Sequence, residues 1–336
     1  MYFDWSFSVL KSAVVGVGYL GKYHAEKYAK SKESELLAVV DKDFSVAKDR
    51  AKKYRTQAFV DYKVLPELGV QCASVASSTC SHFEIASWLL SNGVDVLVEK
   101  PVATTVEEAR ELCEIARKHD RILQVGHLER FNPAFRAMKE VLTDPQFFEV
   151  RRIAPFKGRG HDVDVVLDLM IHDIDIVAHL VGRPLERVEA VGTPVLTDCV
   201  DIANARLTFQ GGAIANVTAS RAAFASERTI RVFQKEVYIS LDYEKKKMKI
   251  YRKGNRPSIG GIPSIEKDER KIKDADALED EISAFLFAVK HRSQPVVTGE
   301  DGVRALELAD TILDSINNSL AATNFSSPAK PSNLVA

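Results

Sequence analysis

The segment Gly16-Val17-Gly18-Tyr19-Leu20-Gly21 follows a short apolar run and precedes residues 21–31, whose apolar positions repeat with helical spacing. Glycines spaced as Gly-x-Gly-x-x-Gly between a strand and a helix are typical of loops that bind a dinucleotide. Gly16 permits a tight turn, Gly18 lets the main chain approach a pyrophosphate, and Gly21 lets the helix pack closely on the strand. The segment therefore predicts a phosphate-binding turn at the beginning of a parallel sheet, with a turn that binds no ligand as the alternative.

Short apolar runs alternate with amphipathic segments from Ser12 to about Gly126. This alternation predicts right-handed crossover units and a parallel sheet with helices on both faces. Glycine just past a helix end is common, and Asn92-Gly93 fits that pattern. The predicted strands are Ala13–Val17, Leu36–Val40, Ala73–Ala76, Val94–Val98 and Ile122–Val125, and the predicted helices lie near 21–31, 45–54, 82–92 and 105–118.

The pattern changes after about residue 126. Residues 201–209 and 213–220 place apolar side chains at every second position, which predicts a mostly antiparallel sheet with one face on a core. The opposite face is small and polar, so it is suited to pairing with another subunit. We expect further strands near 185–194, 228–234, 236–242 and 247–252, helices at 133–142, 164–181, 278–291 and 301–319, a loop at 253–275 and a disordered tail at 321–336.

Asp41 stands at the end of the second predicted strand, twenty residues after Gly21. A carboxylate at this place accepts hydrogen bonds from a ribose diol and repels a 2′-phosphate, which favours NAD over NADP. Lys42 beside it softens that repulsion, so NADP is the less favoured cofactor.

Two further strand ends carry polar residues that face the same edge of the sheet. Ser77, Thr79 and His82 follow the strand near residue 75 and are candidates for the nicotinamide ribose, whereas Ser81 alternatively caps the next helix. Glu99-Lys100-Pro101 follows the next strand. Because ligands of parallel sheets bind outside the carboxyl ends of the strands, Lys100 is predicted to lie beside the cofactor.

Five ionisable residues interrupt an otherwise apolar helical segment at 164–181. Spacings of four, four, three and four place them on one stripe of a helix. Because burying unpaired carboxylates is costly, such a stripe needs a partner or a function. His172 is a candidate proton acceptor with Asp168 tuning it; alternatively, Asp164 caps the helix and the others form structural pairs. The five residues are Asp164, Asp168, His172, Asp175 and His179.

The glycine loop, Glu99-Lys100-Pro101 and Asp168-x-x-x-His172-Asp173 together make residues 11–320 resemble the glucose-fructose oxidoreductase/inositol dehydrogenase (GFO/IDH/MocA) family. The resemblance implies an α/β fold with a Rossmann domain at 1–126, and an α+β domain at 127–320 whose large, mostly antiparallel open sheet binds substrate and forms homodimers or homotetramers. It also implies that Lys100 and His172 flank the reacting carbon, with Lys100 hydrogen-bonding the hydroxyl oxygen.

A narrower resemblance rests on the segments 126–133 and 167–175, which look like those of bacterial UDP-N-acetylglucosamine 3-dehydrogenases. It implies oxidation of the sugar C3 hydroxyl to a ketone, which an aminotransferase converts to an amine for lipid A or another surface polysaccharide. The implied cofactor residues are Gly16, Gly18, Tyr19, Leu20, Gly21, Asp41, Lys42, Ser77, Thr79, His82, Glu99 and Lys100.

A nucleotide-sugar diphosphate requires cationic and N–H donors. Arg130 and Asn132, near the domain crossover, and Arg159 with its neighbours Lys157 and His161 are candidates by position, with Arg221 a weaker one. Solvated surface charge is the alternative for each, and Arg130 and Asn132 have a role at the cofactor or the domain hinge as a further alternative. The implied substrate set is Lys100, Arg130, Asn132, Arg159, Asp168 and His172.

Composition and charge indicate which other classes of partner are not expected. A net charge of −1 gives no reason to expect nucleic acid, and no run approaches the roughly 18 apolar residues of a membrane span. Four cysteines without a Cys-x-x-Cys pair predict free thiols and no metal site. Met1–Lys11 does not resemble a signal peptide, so we expect a cytoplasmic protein.

Two other functions compete with oxidation of a nucleotide sugar. One is dehydrogenation of a free sugar or polyol, and the other is regulation by NAD binding without catalysis.

Overall fold

A computed structural model describes residues 9–156, 163–254 and 264–322. By their contacts these residues divide into two units. The first contains the chain up to Asn132 together with Ala275–Leu306, and the second contains Pro133–Asp274 and the chain from Glu307 onward. The sequence predicted residues 275–306 in the second domain, whereas the structure groups them with the first, because a helix in this segment buries its apolar face there.

The sheet of the first unit has six parallel strands in the order β3-β2-β1-β4-β5-β6. The strand order reverses between β1 and β4, which creates a crevice at the carboxyl ends of these strands. Five of the six strands match predicted runs, and the three-residue β3 was not predicted. The strands are β1 (Leu10–Val15), β2 (Ser34–Val40), β3 (Gln57–Phe59), β4 (Cys72–Val75), β5 (Asp95–Glu99) and β6 (Leu123–Gly126).

Helices cover this sheet. The core on one face combines side chains from the first hundred residues with side chains from residues 282–289. Tyr28 and Leu97 pack in one buried cluster with Ile282, Phe285 and Leu286. None of the helices in the described ranges is long and apolar enough to span a membrane. The α-helices among the described residues are α1 (Gly21–Lys30), α2 (Phe44–Tyr54), α3 (His82–Ser91), α4 (Val106–Lys118), α5 (Pro133–Lys139), α6 (Ile171–Val181), α7 (Ala277–His291) and α8 (Gly299–Ala322).

The second unit contains an eight-stranded sheet in the order β14-β13-β12-β11-β7-β10-β9-β8, in which only the β7–β10 pair is parallel. The period-two pattern predicted from the sequence is observed as alternating burial, because the apolar residues of β9 and β10 are mostly buried and the polar residues between them are more exposed. On the other face, Asn204 donates to Thr218 Oγ1 at 2.8 Å and Arg206 to Asn216 Oδ1 at 3.1 Å. The strands are β7 (Phe147–Pro155), β8 (Leu185–Thr193), β9 (Ile202–Phe209), β10 (Ile214–Ala223), β11 (Glu227–Gln234), β12 (Val237–Asp242), β13 (Lys247–Lys253) and β14 (Ile265–Lys271).

Several predicted boundaries differ from the structure. The predicted loop at 253–275 was wrong for 265–271, which form β14 and pair with β13; residues 255–263 lie outside the described residues. β7 was not predicted, and the helix at 133–142 ends at Lys139. The predicted tail begins inside α8, which continues to Ala322, and the rest of it lies outside the described residues.

Candidate active site

The three glycines of the loop between β1 and α1 have different surroundings. Gly16 has φ +81°, and a Cβ added there would lie 2.6 Å from the main chain of Ser77. A Cβ on Gly21 would lie 1.7 Å from the Gly16 carbonyl oxygen, whereas one on Gly18 would meet no atom within 4 Å. Gly16 and Gly21 therefore shape the turn, and Gly18 leaves space beside the main chain for a ligand, which fits a bound pyrophosphate.

Asp41 follows β2 and is bonded to the same loop. Its Oδ2 accepts a hydrogen bond from Val17 N at 2.9 Å, and its Oδ1 accepts one from Asp43 N at 3.1 Å. Each carboxylate oxygen keeps a further lone pair, so these bonds orient Asp41 and leave it able to accept from a ribose diol. Lys42, the residue after Asp41, is exposed, and so is Tyr19 of the glycine loop. Leu20 immediately precedes the first residue of α1.

The turn after β4 is held by His82 and not by a serine cap. Ser81 stands at the amino terminus of α3, but its hydroxyl donates to Ser78 O at 2.8 Å, so the capping alternative was wrong. His82 is buried, with Nδ1 2.9 Å from Pro101 O and Nε2 3.1 Å from Ser77 O. Burial lowers the pKa of His82, although the two carbonyl oxygens act in the opposite direction. His82 thus ties the Ser77 turn to the segment after Lys100.

Lys100 follows the last residue of β5 and is half-buried. The preceding Glu99 is buried, and its Oε1 accepts a hydrogen bond from His24 Nε2 at 2.9 Å. Glu99 Oε2 accepts from the main-chain N–H of Lys100 at 3.3 Å. The sequence placed Glu99 among the cofactor residues; in the structure these two hydrogen bonds fix the main chain at Lys100.

The polar helical segment of the second unit begins with an irregular turn. Val166–Met170 form a π-helical turn, and α6 continues from Ile171. A π turn contains an extra residue, so a spacing of four does not return to the same face there. Asp164 stands just before the helix: its main-chain carbonyl oxygen accepts from Asp168 N at 3.0 Å, and its Oδ1 accepts from Val200 N at 2.8 Å. The π turn makes the prediction of a five-residue stripe wrong, whereas a helix cap by the Asp164 side chain stays a prediction. Asp168 and His172 are half-buried and Asp175 is buried.

A buried ion pair holds the main chain just before this helix. Arg221 of β10 donates to Asp201 Oδ1 at 2.7 Å and to the Val163 carbonyl oxygen at 2.6 Å. Asp201 Oδ2 also accepts from the main-chain N–H groups of residues 195–197 at 2.6–2.8 Å. Burial raises the pKa of Asp201, but these donors outweigh it and hold that pKa well below its usual range. Arg221 was a weak candidate for diphosphate, and these contacts give it a structural role.

A second buried pair was missed by the sequence analysis. Arg152 of β7 donates to both oxygens of Asp173 on α6, each at 2.7 Å. Both residues are less than 10 % exposed. The signal in the sequence was the period-two series Phe148, Val150, Arg152, in which a charged residue takes a core-facing position. This pair fixes the residue next to His172 to the sheet.

Two family profiles match the sequence. The profile described as oxidoreductase family, NAD-binding Rossmann fold, matches residues 10–127, and the GFO/IDH/MocA C-terminal domain matches residues 150–240. The UDP-N-acetylglucosamine 3-dehydrogenase of Acidithiobacillus ferrooxidans is 35 % identical over 301 residues, which cover 89 % of this chain and 95 % of the relative. The chain belongs to the GFO/IDH/MocA oxidoreductase family. The predicted family and enzyme class are thereby confirmed.

Other comparisons agree with this assignment. A solved structure of the Acidithiobacillus dehydrogenase superposes with a TM-score of 0.87 at 34 % identity, covering 93 % of this chain and 98 % of that one. The myo-inositol 2-dehydrogenase of Thermotoga maritima is 26 % identical over 323 residues, 89 % of this chain and 94 % of the relative. The predicted fold class is confirmed. The predicted cofactor is confirmed too, since the first unit of this GFO/IDH/MocA protein is an NAD-binding domain.

In this GFO/IDH/MocA chain, the residues that were predicted to bind the substrate diphosphate have different surroundings. Arg130 is buried, and its guanidinium lies 3.5 Å from the Asp301 carboxylate of α8. Asn132 Nδ2 donates to Glu129 Oε2 at 3.2 Å. These contacts support structural roles, and contact of Arg130 or Asn132 with substrate stays a prediction. Lys157, Arg159 and His161 lie outside the described residues.

Proposed function

We propose that this chain oxidises the C3 hydroxyl of UDP-N-acetylglucosamine to a ketone with NAD. The observation that carries the proposal is the 35 % identity to a UDP-N-acetylglucosamine 3-dehydrogenase over 95 % of that protein's length. The myo-inositol relative has lower identity over a similar span. The glycine loop and Asp41 supply the cofactor side, because their geometry fits a pyrophosphate and a ribose diol.

The proposed chemistry assigns separate tasks to two residues. Bound NAD would supply the acceptor for the hydride of C3. His172 takes the hydroxyl proton as general base, and Asp168 orients or tunes its imidazole. The Lys100 ammonium stabilises the developing alkoxide, which carries more charge in the transition state than in the bound alcohol. The products are the 3-keto sugar, the reduced cofactor and one proton.

The product of the proposed reaction indicates the class of enzyme that consumes it. A 3-keto sugar is an electrophile that an aminotransferase converts to a 3-amino sugar, so we propose such an enzyme as the consumer of the product. Synthesis of lipid A or another surface polysaccharide in the cytoplasm is the proposed setting. We also propose a homodimer or homotetramer assembled through the polar face of the second sheet, where Asn204, Arg206, Asn216 and Thr218 lie.

The competing substrate is a free polyol, which the Thermotoga relative named myo-inositol 2-dehydrogenase favours. A panel of UDP-N-acetylglucosamine, free N-acetylglucosamine, glucose and myo-inositol, followed by formation of NADH, separates the two. A 3-aminotransferase with glutamate is added to draw off the ketone. Preference for the UDP sugar supports the proposal, preference for myo-inositol contradicts it, and hydride transfer from any of these substrates to NAD excludes a purely regulatory function.

The first testable prediction concerns Lys100 and His172. Lys100→Met removes the alkoxide-stabilising charge and His172→Asn removes the base, so each lowers kcat by roughly a hundredfold or more. NAD affinity, measured by fluorescence titration, stays within about twofold, since neither change touches the pyrophosphate turn.

The matched control is His179→Asn on the same helix. His179 Nε2 lies 2.9 Å from Lys139 Nζ and is not assigned to the reaction. This variant is expected to keep kcat. Wild-type turnover in both Lys100→Met and His172→Asn would contradict the assignment of roles.

A further inference from the structure

Three ionisable side chains meet inside the core of the first unit, on the sheet face covered by α1 and α7. They are His24, Glu99 and Glu281, with exposed fractions of 0 %, 8 % and 0 %. One nitrogen or oxygen from each lies within 4.8 Å of the other two. The next residue on α7, Ile282, belongs to the apolar cluster of this core. Two carboxyl groups are thus buried together at the strand end that precedes Lys100.

A chain of hydrogen bonds reaches this cluster from α1. Tyr28 OH lies 2.9 Å from Ser74 Oγ, Ser74 Oγ lies 3.1 Å from His24 Nδ1, and His24 Nε2 lies 2.9 Å from Glu99 Oε1. Donation in one direction, from Tyr28 through Ser74 and His24 to Glu99, satisfies every member with a neutral imidazole. Glu99 is therefore the acceptor at which the chain ends.

The Glu281 carboxyl group lies beside this chain of hydrogen bonds. Among the described residues, neither of its carboxyl oxygens has a hydrogen-bond partner. Burial raises the pKa of Glu281 well above its usual value, and the charge of Glu99 adds to this effect. An ionised carboxylate in this position would be buried without compensation, which is strongly unfavourable. The neutral acid is the form that this core can accommodate.

The main chain around Glu99 leaves its carboxylate little freedom. Glu99 Oε2 accepts from Lys100 N at 3.3 Å, and a Cβ added to Gly126 of β6 would lie 2.9 Å from the Glu99 carboxyl carbon. Gln124, also on β6, donates to the Glu281 carbonyl oxygen at 3.2 Å and so attaches α7 to this edge. Glu99 thus lies between the Glu281 carboxyl group and the main chain of Lys100.

We propose that Glu281 is a positioning residue that shares one proton with Glu99 and thereby holds the end of β5 that carries Lys100. This inference rests on the proposed role of Lys100. The pair carries a single negative charge, which the imidazole N–H of His24 and the main-chain N–H of Lys100 stabilise.

A metal ion is the other occupant that this donor set allows. His24 Nε2 and Glu99 Oε1 are already hydrogen-bonded to each other at 2.9 Å. A metal would require both atoms to give up that bond, since a metal-ligating nitrogen carries no proton. The observed bond therefore favours the shared proton.

The neighbouring ionisable groups do not obscure the titration of the pair. Tyr28 of α1 and Cys72 of β4 face the same core, and burial raises the pKa of each. Both stay neutral across the physiological range. The charge of the cluster is then set by His24 of α1, Glu99 of β5 and Glu281 of α7.

The decisive experiment compares unfolding of the full-length wild type and Glu281→Gln as a function of pH. The ordinary pKa of Glu, near 4.5, applies to the unfolded chain, and the folded pKa lies above it. Between these values folding takes up one proton, so the wild type loses stability as pH rises. Above about pH 5, for as long as the folded protein keeps this proton, its unfolding equilibrium constant rises about tenfold per pH unit relative to Glu281→Gln, whose amide does not titrate.

Measurements of kcat distinguish a positioning role of Glu281 from a role in packing alone. Glu281→Leu keeps the volume but removes the donor, so kcat falls by roughly ten- to a hundredfold while NAD affinity stays within about twofold. Glu281→Gln, which keeps a donor, restores most of the kcat. Ile282→Val, a change at the next buried position of α7, is the packing control and is expected to keep kcat.

Several results would overturn the inference. They are parallel pH profiles of unfolding for the wild type and Glu281→Gln, wild-type kcat in Glu281→Leu, and one equivalent of a divalent metal in the purified protein. If Glu281→Leu does not fold, the pH profile of Glu281→Gln decides. Because unfolding is measured without a sugar, inactivity of the wild type toward UDP-N-acetylglucosamine would contradict the proposed function alone.

Discussion

The three glycines of the nucleotide loop illustrate how one motif contains different constraints at the scale of single residues. Gly16 has a backbone conformation that side chains rarely adopt, and Gly21 lies where a Cβ would collide with a carbonyl oxygen. Gly18 has neither constraint, because a Cβ there would meet open space. The motif therefore combines two folding requirements with one open position, at which we propose that the pyrophosphate binds.

Alanine substitutions are expected to separate these requirements. Gly21→Ala destabilises the first unit by about 2 kcal/mol or more, because the methyl group overlaps the Gly16 carbonyl oxygen. Gly18→Ala leaves the melting temperature unchanged but weakens NAD binding roughly tenfold, about 1.4 kcal/mol, since its methyl group enters the space for the pyrophosphate. Thermal unfolding and NADH titration of both variants are the measurements. Equal loss of stability in both would contradict the distinction.

Residues at strand ends were predictable from the sequence, and residues with distant partners were not. Asp41 and Lys100 follow apolar runs, and the end of a parallel strand already suggests a ligand. Glu281 resembles any glutamate of an amphipathic helix until β5 and α1 are placed beside it. Its burial depends on contacts across more than a hundred residues of sequence, which no local pattern contains.

At the scale of elements, the polar helix of the second unit departs from regular spacing. The sequence analysis assumed 3.6 residues per turn from Asp164 onward, but Val166–Met170 form a π turn. The Asp164 carbonyl oxygen accepts from Asp168 N where the helix begins, and the Asp164 side chain accepts from Val200 N. π turns often occur at functional sites, and this one contains Asp168, one turn before His172.

The Arg152–Asp173 pair provides an element-scale prediction with a neighbouring control. Arg152→Met leaves the Asp173 carboxylate buried without its partner, so the free energy of unfolding falls by about 3–5 kcal/mol. Arg151→Met, one residue earlier on the same strand, removes an exposed pair with Glu227 and costs about 0–1 kcal/mol. Chemical denaturation of the two variants measures the difference. Similar losses would contradict a special role for the buried pair.

Strand β14 shows why one element was missed. Its sequence, Ile-Glu-Lys-Asp-Glu-Arg-Lys, has no apolar alternation and is mostly exposed at the edge of the sheet. Charged edge strands limit pairing with other chains. The Lys247–Glu269 ion pair crosses to β13, and the register of the two strands runs over seven residue pairs. Such a strand is defined by main-chain pairing, which hydrophobic patterning does not report.

At the scale of the whole molecule, the chain leaves the first unit at Asn132 and returns to it at Ala275. The sequence analysis divided the chain once, near residue 126, because the change from alternating strands and helices to period-two strands is visible there. The return was not visible, since α7 has the pattern of any amphipathic helix. Only its packing against Tyr28 and Leu97 assigns it to the first unit.

Two phenylalanines of α7 test this assignment. Phe285 is 0 % exposed in the core of the first unit, whereas Phe287 is 55 % exposed. Phe285→Ala is expected to lower the free energy of unfolding by about 3–5 kcal/mol, and Phe287→Ala by less than about 0.5 kcal/mol. NADH protection against thermal unfolding shows whether the affected unit is the nucleotide-binding one. Wild-type stability of Phe285→Ala would contradict the packing.

The divided first unit has a consequence for synthesis of the protein on the ribosome. When Asn132 has emerged, the six strands of the sheet are complete, but α7, which supplies Ile282, Phe285 and Leu286 to its core, is still roughly 150 residues away. At about 5–20 residues per second, the nascent chain exposes that apolar face for on the order of ten to thirty seconds. During this interval the growing polypeptide is a substrate for chaperones that bind apolar surface, and its yield in the cell depends on them more than its final stability suggests.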